Sequence, residues 1–370
     1  MKRIICLLLL LNACTPALEE AGDEAVFSLD VGEALGGDNT AGYLRAEEPR
    51  VFSFPQDHGL HPGYRNEWWY LTGNLQNENG RRFGYQLTFF STAIAPGSTS
   101  SSGWQSPRIW MAHAALSDIT SGQHIALERF SRENPGLAGA RLSPFRVWLE
   151  NWSLSSNNDN AFPWQIELND DSFSLDLQVS AAKEPVLQGI DGLSQKSPDP
   201  GNASYYYSLT RLNTSGSIRL NGESYDVSGL SWLDREWSTS VLADNQSGWD
   251  WFSLQFNDGQ ELMYYQLRDT QGNAHPSSAG NLTDLDAQQQ YIQPEDISLQ
   301  ELSNWEAPNG VEYTTRWRMQ YQEHDLIIAA LLEDQFMNLS VPYWEGAVEV
   351  LDADTQELLG RGYLEMVRSP

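Results

Sequence analysis

The residues best suited to chemistry are concentrated between Asp57 and Leu75. This stretch sets His58, His61, Arg65 and Glu67 among Tyr64, Trp68, Trp69 and Tyr70. Two imidazoles and a carboxylate at such spacing could exchange protons or ligate a metal. No zincin motif, cysteine ligand or fourth candidate accompanies them, so we expect no metal and no cofactor. The competing reading is that these side chains cap a turn and hydrogen-bond its backbone. A second concentration is Asp234-Arg235-Glu236-Trp237. It reads either as an arginine–carboxylate cluster beside an indole, poised for acid–base work or to polarise a ligand, or as an ion pair closing a barrel mouth. A third, Trp249-Asp250-Trp251, flanks a carboxylate with two indoles. Burial would raise that carboxylate's pKa and suit it to act as an acid, although strand alternation turns Asp250 away from both rings. His113 sits inside an apolar segment. Glu236, Asp250 and His113 are thus the candidate proton donors. Nucleophile elbows, phosphate loops and dinucleotide fingerprints are absent from the sequence.

The elements that must position these residues read as β-strands. Gly59, Pro62 and Gly63 break regular structure, and from Glu67 onward the aromatic run favours a pleated, half-buried surface. Residues 84–90 form a strand that pairs back on 69–75 across Asn77-Glu78-Asn79-Gly80, a hairpin loop. Phe173, Leu175, Leu177 and Val179 alternate strictly, and so do Val311, Tyr313, Thr315, Trp317, Met319 and Tyr321. Segments 95–107 and 189–203 are rich in Gly, Pro and Ser and read as loops. Amphipathic helices are few, with part of Thr283 to Tyr291 one candidate. Many short strands at regular spacing predict an all-β protein of barrels or sandwiches.

A weak repeat supports two units. Trp69-Tyr70, a Gly turn and Tyr85-Gln86-Leu87 resemble Trp251-Phe252, a Gly turn and Tyr265-Gln266-Leu267. The repeat divides the chain into residues 49–215 and 216–370. The aromatic residues of both copies, Tyr85 and Tyr265 included, would fill the core of a small barrel or line a pocket in a larger one.

The chain has 370 residues, 14 of them tryptophan, and a formal charge of -28. So acidic a surface repels phosphate backbones and argues against a nucleic-acid partner. Lys2, Arg3 and the short apolar run from Ile4 to Leu11 read as a secretion signal over residues 1–13. Leu11-Asn12-Ala13-Cys14 resembles a bacterial lipobox. Cys14 would then carry acyl chains and anchor the protein to a membrane. Thr15 after it is compatible with the outer membrane of a bacterial envelope. Residues 14–48 are acidic, lack periodicity and read as a flexible tether.

Taken together, the Asp57–Leu75 stretch, His113-Ala114-Ala115-Leu116-Ser117-Asp118, Trp232 to Ser238 and Gly248 to Phe252 resemble the AttH/CrtC-type lipocalin-like family, over residues 50 to 367 and nearer its AttH branch. The resemblance implies two consecutive lipocalin-like (calycin) barrels. It also implies an apolar, extended ligand, since members are described as predicted secreted hydrolases, carotenoid 1,2-hydratases and fungal cyclases of polyenes. The sequence departs from the hydratase pattern at two places. Arg235 stands where the hydratases have a histidine, and no aspartate falls within 264–266. On these grounds we expect an envelope lipoprotein that binds a lipid or isoprenoid-like molecule in a barrel or between the two. Glu67, Trp68, Trp69, Arg235, Glu236 and Trp237 would lie near the ligand, with His58, His61, Asp234, Trp249 and Trp251 beside them. The alternatives are an enzyme doing acid–base chemistry on an apolar substrate, and a structural module.

Overall fold

The computed structural model describes residues 40–97, 106–158, 161–240 and 242–368. The signal peptide, Cys14 and most of the tether lie outside the described residues, as does the middle of the 95–107 loop. The part of the tether that is described is packed against the fold. Leu44 N donates to Gly63 O at 2.9 Å, Ala46 is fully buried, and the Tyr205 hydroxyl donates to Glu48 O at 2.8 Å.

The protein is all-β, and the first sheet has thirteen strands. It opens with a meander of β1 (Asn66–Gln76), β2 (Arg82–Ala93), β3 (Arg108–Asp118) and β4 (Gln123–Arg132). A second meander follows: β5 (Ala138–Leu142), β6 (Phe145–Leu149), β7 (Trp152–Asn158), β8 (Ala161–Asn169) and β9 (Phe173–Ala181). Short strands β10 (Val186–Leu187) and β11 (Leu193–Gln195) precede the long hairpin of β12 (Ala203–Leu220) and β13 (Glu223–Ser238). The order is β4-β3-β2-β1-β13-β12-β9-β8-β7-β6-β5, with β10 and β11 pairing with β12.

The second sheet has ten strands. They are β14 (Gln246–Phe256), β15 (Glu261–Asp269), β16 (Ala279–Thr283), β17 (Gln289–Ile292), β18 (Ile297–Glu306), β19 (Glu312–Tyr321), β20 (His324–Ala330), β21 (Phe336–Met337), β22 (Tyr343–Asp352) and β23 (Leu358–Arg368). Their order is β17-β16-β15-β14-β23-β22-β20-β19-β18, with β21 on β22. In both sheets the first strand pairs with the last, β1 with β13 and β14 with β23. Each sheet curls into a lipocalin-like barrel around its own apolar interior.

Two details differ from expectation. The strand β12 runs unbroken through residue 215, so the sheets divide between Ser238 and Gln246. The segment 283–291 is no helix: it joins β16 to β17 through a turn in which the Asp284 carboxylate accepts from the backbone of Asp286 and Gln288. An aspartate that bonds its own following backbone favours a turn over a helix interior.

The barrels pack face to face, and this packing explains the aromatic strands. One side of β1 turns into the first barrel with Trp69 and Leu71. The other side meets the second barrel with Tyr70. Between the sheets lies a separate apolar layer that includes Tyr70, Tyr206, Trp232, Trp251, Met263, Tyr265 and Tyr363. A strand buried on both faces cannot alternate with polar residues, which accounts for the Trp68-Trp69-Tyr70 run. The sheets approach closely enough at Gly84 that a Cβ there would lie 2.7 Å from Ala347 Cβ and 2.9 Å from the Tyr363 hydroxyl.

Candidate functional site between the barrels

Strand alternation sorts the residues singled out above into two places. On β1, Glu67 and Trp69 point into the first barrel while Trp68 and Tyr70 point out. On β13, Arg235 and Trp237 point in while Asp234 and Glu236 point out. The register pairs Trp69 with Arg235, Glu67 with Trp237, Trp68 with Glu236 and Tyr70 with Asp234, so each set is brought together across the two strands.

The inward set is a closed ionic plug. Arg235 Nη2 contacts Glu67 Oε1 at 2.5 Å and donates to Gly59 O at 2.7 Å, and Nη1 donates to Trp68 O at 2.6 Å. Its guanidinium lies 3.9 Å over the Trp69 ring. His61 uses both ring nitrogens on carboxylates, Nδ1 to Glu67 at 2.7 Å and Nε2 to Asp57 at 3.0 Å, and stacks on Trp237 at 3.7 Å. Arg50 closes the chain on Asp57 at 2.9 Å. Burial alone would raise the Glu67 carboxyl, but His61 and Arg235 outweigh it and hold it at about 2. Burial and the nearby Arg235 charge push the His58 imidazole down to about 3, and its Nδ1 meets the Tyr207 hydroxyl at 2.6 Å. Charges so fully matched have little left to offer a ligand. Among the described residues, no cluster of three His, Cys, Asp or Glu side chains forms a metal site.

The outward set lines a pocket between the two sheets. Its walls are Trp68 and Tyr70 from β1, Phe90 from β2, Tyr206 from β12, Asp234 and Glu236 from β13, Trp249 and Trp251 from β14, Tyr265 and Leu267 from β15, and Glu365 from β23. Lys196 and Leu242 complete the rim. Its cavity has a volume of about 100 Å³, smaller than the roughly 300–1,000 Å³ that holds a drug-sized ligand. Tyr70 and Trp251 meet edge to face at 5.2 Å.

Asp234 is the pocket's best-placed acid. It is 3% exposed. Its Oδ2 accepts from the Tyr206 hydroxyl at 2.6 Å, and its Oδ1 accepts from Ser208 Oγ at 2.5 Å and Trp232 Nε1 at 2.6 Å. Burial dominates and, with the Glu236 charge, outweighs those hydrogen bonds, raising the carboxyl to about 7. Glu365 accepts from Trp249 Nε1 at 2.6 Å. Burial, helped by the charges of Asp234 and Glu236, likewise raises it to about 7. Glu236 is bonded to Ser204 Oγ and paired with Lys196 Nζ at 3.3 Å. The Lys196 ammonium also sits 4.1 Å over the Tyr265 ring. With Asp234 and Glu365 both at about 7, the pocket retains a proton further toward neutral pH than ordinary carboxyls would.

The other predicted residues fall elsewhere. Asp250 is fully buried inside the second barrel, paired with Arg268 at 2.6 Å and Arg368 at 3.4 Å. Tyr85 belongs to the first barrel's core and bonds Ser231 at 2.7 Å. Its repeat counterpart Tyr265 lines the pocket, so the aligned tyrosines face opposite sides of their sheets. His113 lies in the layer between the sheets, behind Phe90 at 5.3 Å. Sequence reasoning missed Tyr70, Tyr206, Lys196 and Glu365. Tyr70 was readable by alternation from Trp68. Glu365 was not, because the register that sets it opposite Trp251 joins residues from the two ends of the second sheet.

With the geometry described, comparison with known proteins identifies the class. The chain belongs to the AttH-like family, whose model matches residues 45–368. A crystal structure of a protein described as AttH from Nitrosomonas europaea is 31% identical, covers 88% of this chain and 99% of that one, and superposes with a TM-score of 0.76. Kievitone hydratase from Nectria haematococca shares the fold at 14% identity over 89% of this chain and 97% of its own, with a TM-score of 0.68. CghA, solved with Sch210972, does so at 11% identity over 89% and 97%, with a TM-score of 0.51. No curated protein matches the sequence.

Proposed function

We propose that the pocket between the barrels is the active site of an acid–base enzyme acting on an apolar, unsaturated small molecule, adding water to a carbon–carbon double bond or removing it. The observation that carries this reading is Asp234, a buried carboxyl held at about 7 in a pocket walled by aromatic rings. A carrier of lipid needs an apolar cavity without a buried acid, and a structural module needs that space filled. Kievitone hydratase, one of the fold neighbours, supports the same reading by fold alone.

In this reading Asp234 is neutral in the resting site. One hydrogen serves the 2.6 Å contact between its Oδ2 and the Tyr206 oxygen, which leaves the other available to the pocket. That proton passes to one alkene carbon, and the oxygen of a water bonds to the other. Glu365, facing the same space, takes the proton the water gives up. One water is consumed, and the site regains its charge once that proton returns to Asp234. Trp68, Trp251 and Tyr265 exclude bulk water and shape the apolar body of the substrate. Lys196 sets its ammonium against the Glu236 carboxyl at 3.3 Å on the same wall.

The N-terminal reading belongs to the same proposal. A chain acylated at Cys14 and held at the bacterial envelope, in the outer membrane, would meet apolar molecules where they dissolve. Labelled palmitate incorporated by the wild type and lost in Cys14→Ser tests it. The catalytic reading is tested by incubating the full-length protein with kievitone and with polyene alkenes in ¹⁸O-labelled water. We expect products heavier by one labelled water, absent with Asp234→Asn. Tight binding without any such product, across the panel, would return the pocket to a carrier.

A further inference from the structure

A second cleft shares no lining residue with the pocket above, and nothing in the chemistry above uses it. Phe54 and His58, ahead of β1, and Phe162, Pro185 and Leu209 of the first barrel line it, together with Leu285 on the turn between β16 and β17. Its volume is about 510 Å³, within the roughly 300–1,000 Å³ of small-molecule sites. Leu285 is 65% exposed and Phe54 37% exposed, so both offer apolar surface to an occupant. His58 is buried and framed by rings. Phe54 lies 5.0 Å away, Trp164 meets it edge-on at 4.9 Å, and Phe162 stacks on Trp164 at 4.4 Å. Its Nδ1 is engaged by the Tyr207 hydroxyl at 2.6 Å, and among the described residues no hydrogen bond engages Nε2. The turn that carries Leu285 is fixed in place. Lys183 Nζ donates to Asp284 O at 2.6 Å, to Gly259 O at 2.7 Å and to Glu261 at 2.7 Å, which uses all three ammonium hydrogens. Ala287 in the same turn has φ +60°, a left-handed conformation that side chains disfavour. Strain of that kind, in a turn that leaves a leucine largely in solvent, marks a place built to meet something else.

We infer that this cleft binds a neutral, ring-bearing small molecule whose hydroxyl bonds His58 Nε2 and whose rings lie against Phe54, Phe162 and Leu285. The site is separate from the hydration reading and does not depend on it. A hydroxyl both donates and accepts, so it serves either tautomer of His58. The aromatic lining suits a planar body, because ring pairs in offset or edge-on contact gain beyond the area they bury. Tyr207, bonded to the far side of the imidazole, is fully buried, so His58 forms a floor. Charge selects against an anionic ligand. Burial and the Arg235 charge hold the His58 imidazole down to about 3, so near neutral pH it offers a hydrogen bond and no charge. The Lys183 ammonium is already shared among Glu261 and two carbonyls. Glu184 and Asp286 are then the exposed charges of the lining. On a chain of formal charge -28 they repel a carboxylate or phosphate head.

The test uses three probes with one ring system: 2-naphthol, 2-naphthoate and naphthalene, each titrated calorimetrically into the full-length protein at neutral pH. We expect 2-naphthol to saturate one site and to bind about tenfold more tightly than either of the others, the worth of one added hydrogen bond. His58→Phe should bring 2-naphthol down to the affinity of naphthalene. Leu285→Asp should weaken 2-naphthol and naphthalene alike by about fivefold or more, through lost apolar contact. Leu285 stands largely in solvent, so its variant remains informative if His58→Phe folds poorly. Absence of saturable 2-naphthol binding would overturn the inference. So would 2-naphthol binding no tighter than that of 2-naphthoate or naphthalene, or binding left unchanged in either folded variant, which would place the molecule elsewhere.

Discussion

On the strand β13, Arg235 and its neighbours Asp234 and Glu236 point to opposite sides, and the two sides treat buried charge in different ways. In the plug inside the first barrel each carboxylate is met by cationic partners. Glu67 is met by Arg235 and His61, and Asp57 by Arg50 and His61. The result is a carboxylate held at about 2 and a sealed plug. Between the barrels, carboxyls outnumber cations, and the excess is resolved by protonation, with Asp234 and Glu365 raised to about 7. Both arrangements satisfy the demand that a buried ionisable group be paired or neutral. Only the second leaves a proton free to move. Composition alone does not separate them, because each combines acids with tryptophan. The surplus of acid over base, and the empty volume beside it, separates function from architecture here.

That contrast can be broken by mutation from either side. The largest effect is expected at Asp234→Asn: turnover should fall by about 10²–10⁴, the usual worth of a positioned acid, while urea unfolding at about pH 4, where the folded Asp234 is protonated, stays near wild type. On the plug side, Arg235→Met strands Glu67 and should cost about 3–5 kcal/mol in urea unfolding. Similar stability losses for both variants would erase the distinction. The pH dependence of stability sharpens it further. Glu67 ionises more easily folded than unfolded, so it contributes stability above about 4.5 that is lost as pH falls toward about 2. Asp234 and Glu365 behave in the reverse sense. Their folded forms hold protons that the unfolded chain has released, so stability declines as pH rises from about 4 to about 7. Wild type minus Asp234→Asn should therefore slope downward across that window, and wild type minus Glu67→Gln upward below it. The smallest effect on turnover is expected at Lys196→Met, which removes a largely buried ion pair with Glu236 (side chains 13% and 9% exposed) and shifts ligand affinity by under tenfold.

Much of the fold was legible because period-2 alternation is a local property. The strict alternations at 173–179 and 311–321 became β9 and β19, and the Asn77–Gly80 hairpin joins β1 to β2 in the expected register. The same rule placed Asp250 opposite Trp249 and Trp251, and the structure puts it with Arg268 while the indoles line the pocket. Applied to Trp68-Trp69-Tyr70 and to residues 234–237, it separates the plug from the pocket. The density of chemical side chains in those stretches made one site look natural where there are two. Two pocket residues lay beyond local reading. Lys196 belongs to a Gly/Pro/Ser loop and is held in place when Gln246 donates to its carbonyl at 2.6 Å. Glu365 arrives through a pairing that spans the second sheet. The division near 215 failed for a similar reason: β12 is one long strand whose pairing, rather than its composition, assigns it to the first barrel.

The central claim is that Asp234 in the inter-barrel pocket still holds a proton near neutral pH, where an ordinary aspartate is ionised. Carboxyl-labelled aspartate, followed by carbon NMR through a pH titration of wild type and Asp234→Asn, measures it directly. The account predicts that the resonance missing from the variant titrates near 7. A midpoint near the ordinary aspartate value of about 4 would show the group ionised in the resting protein and would contradict the assignment of Asp234 as the acid.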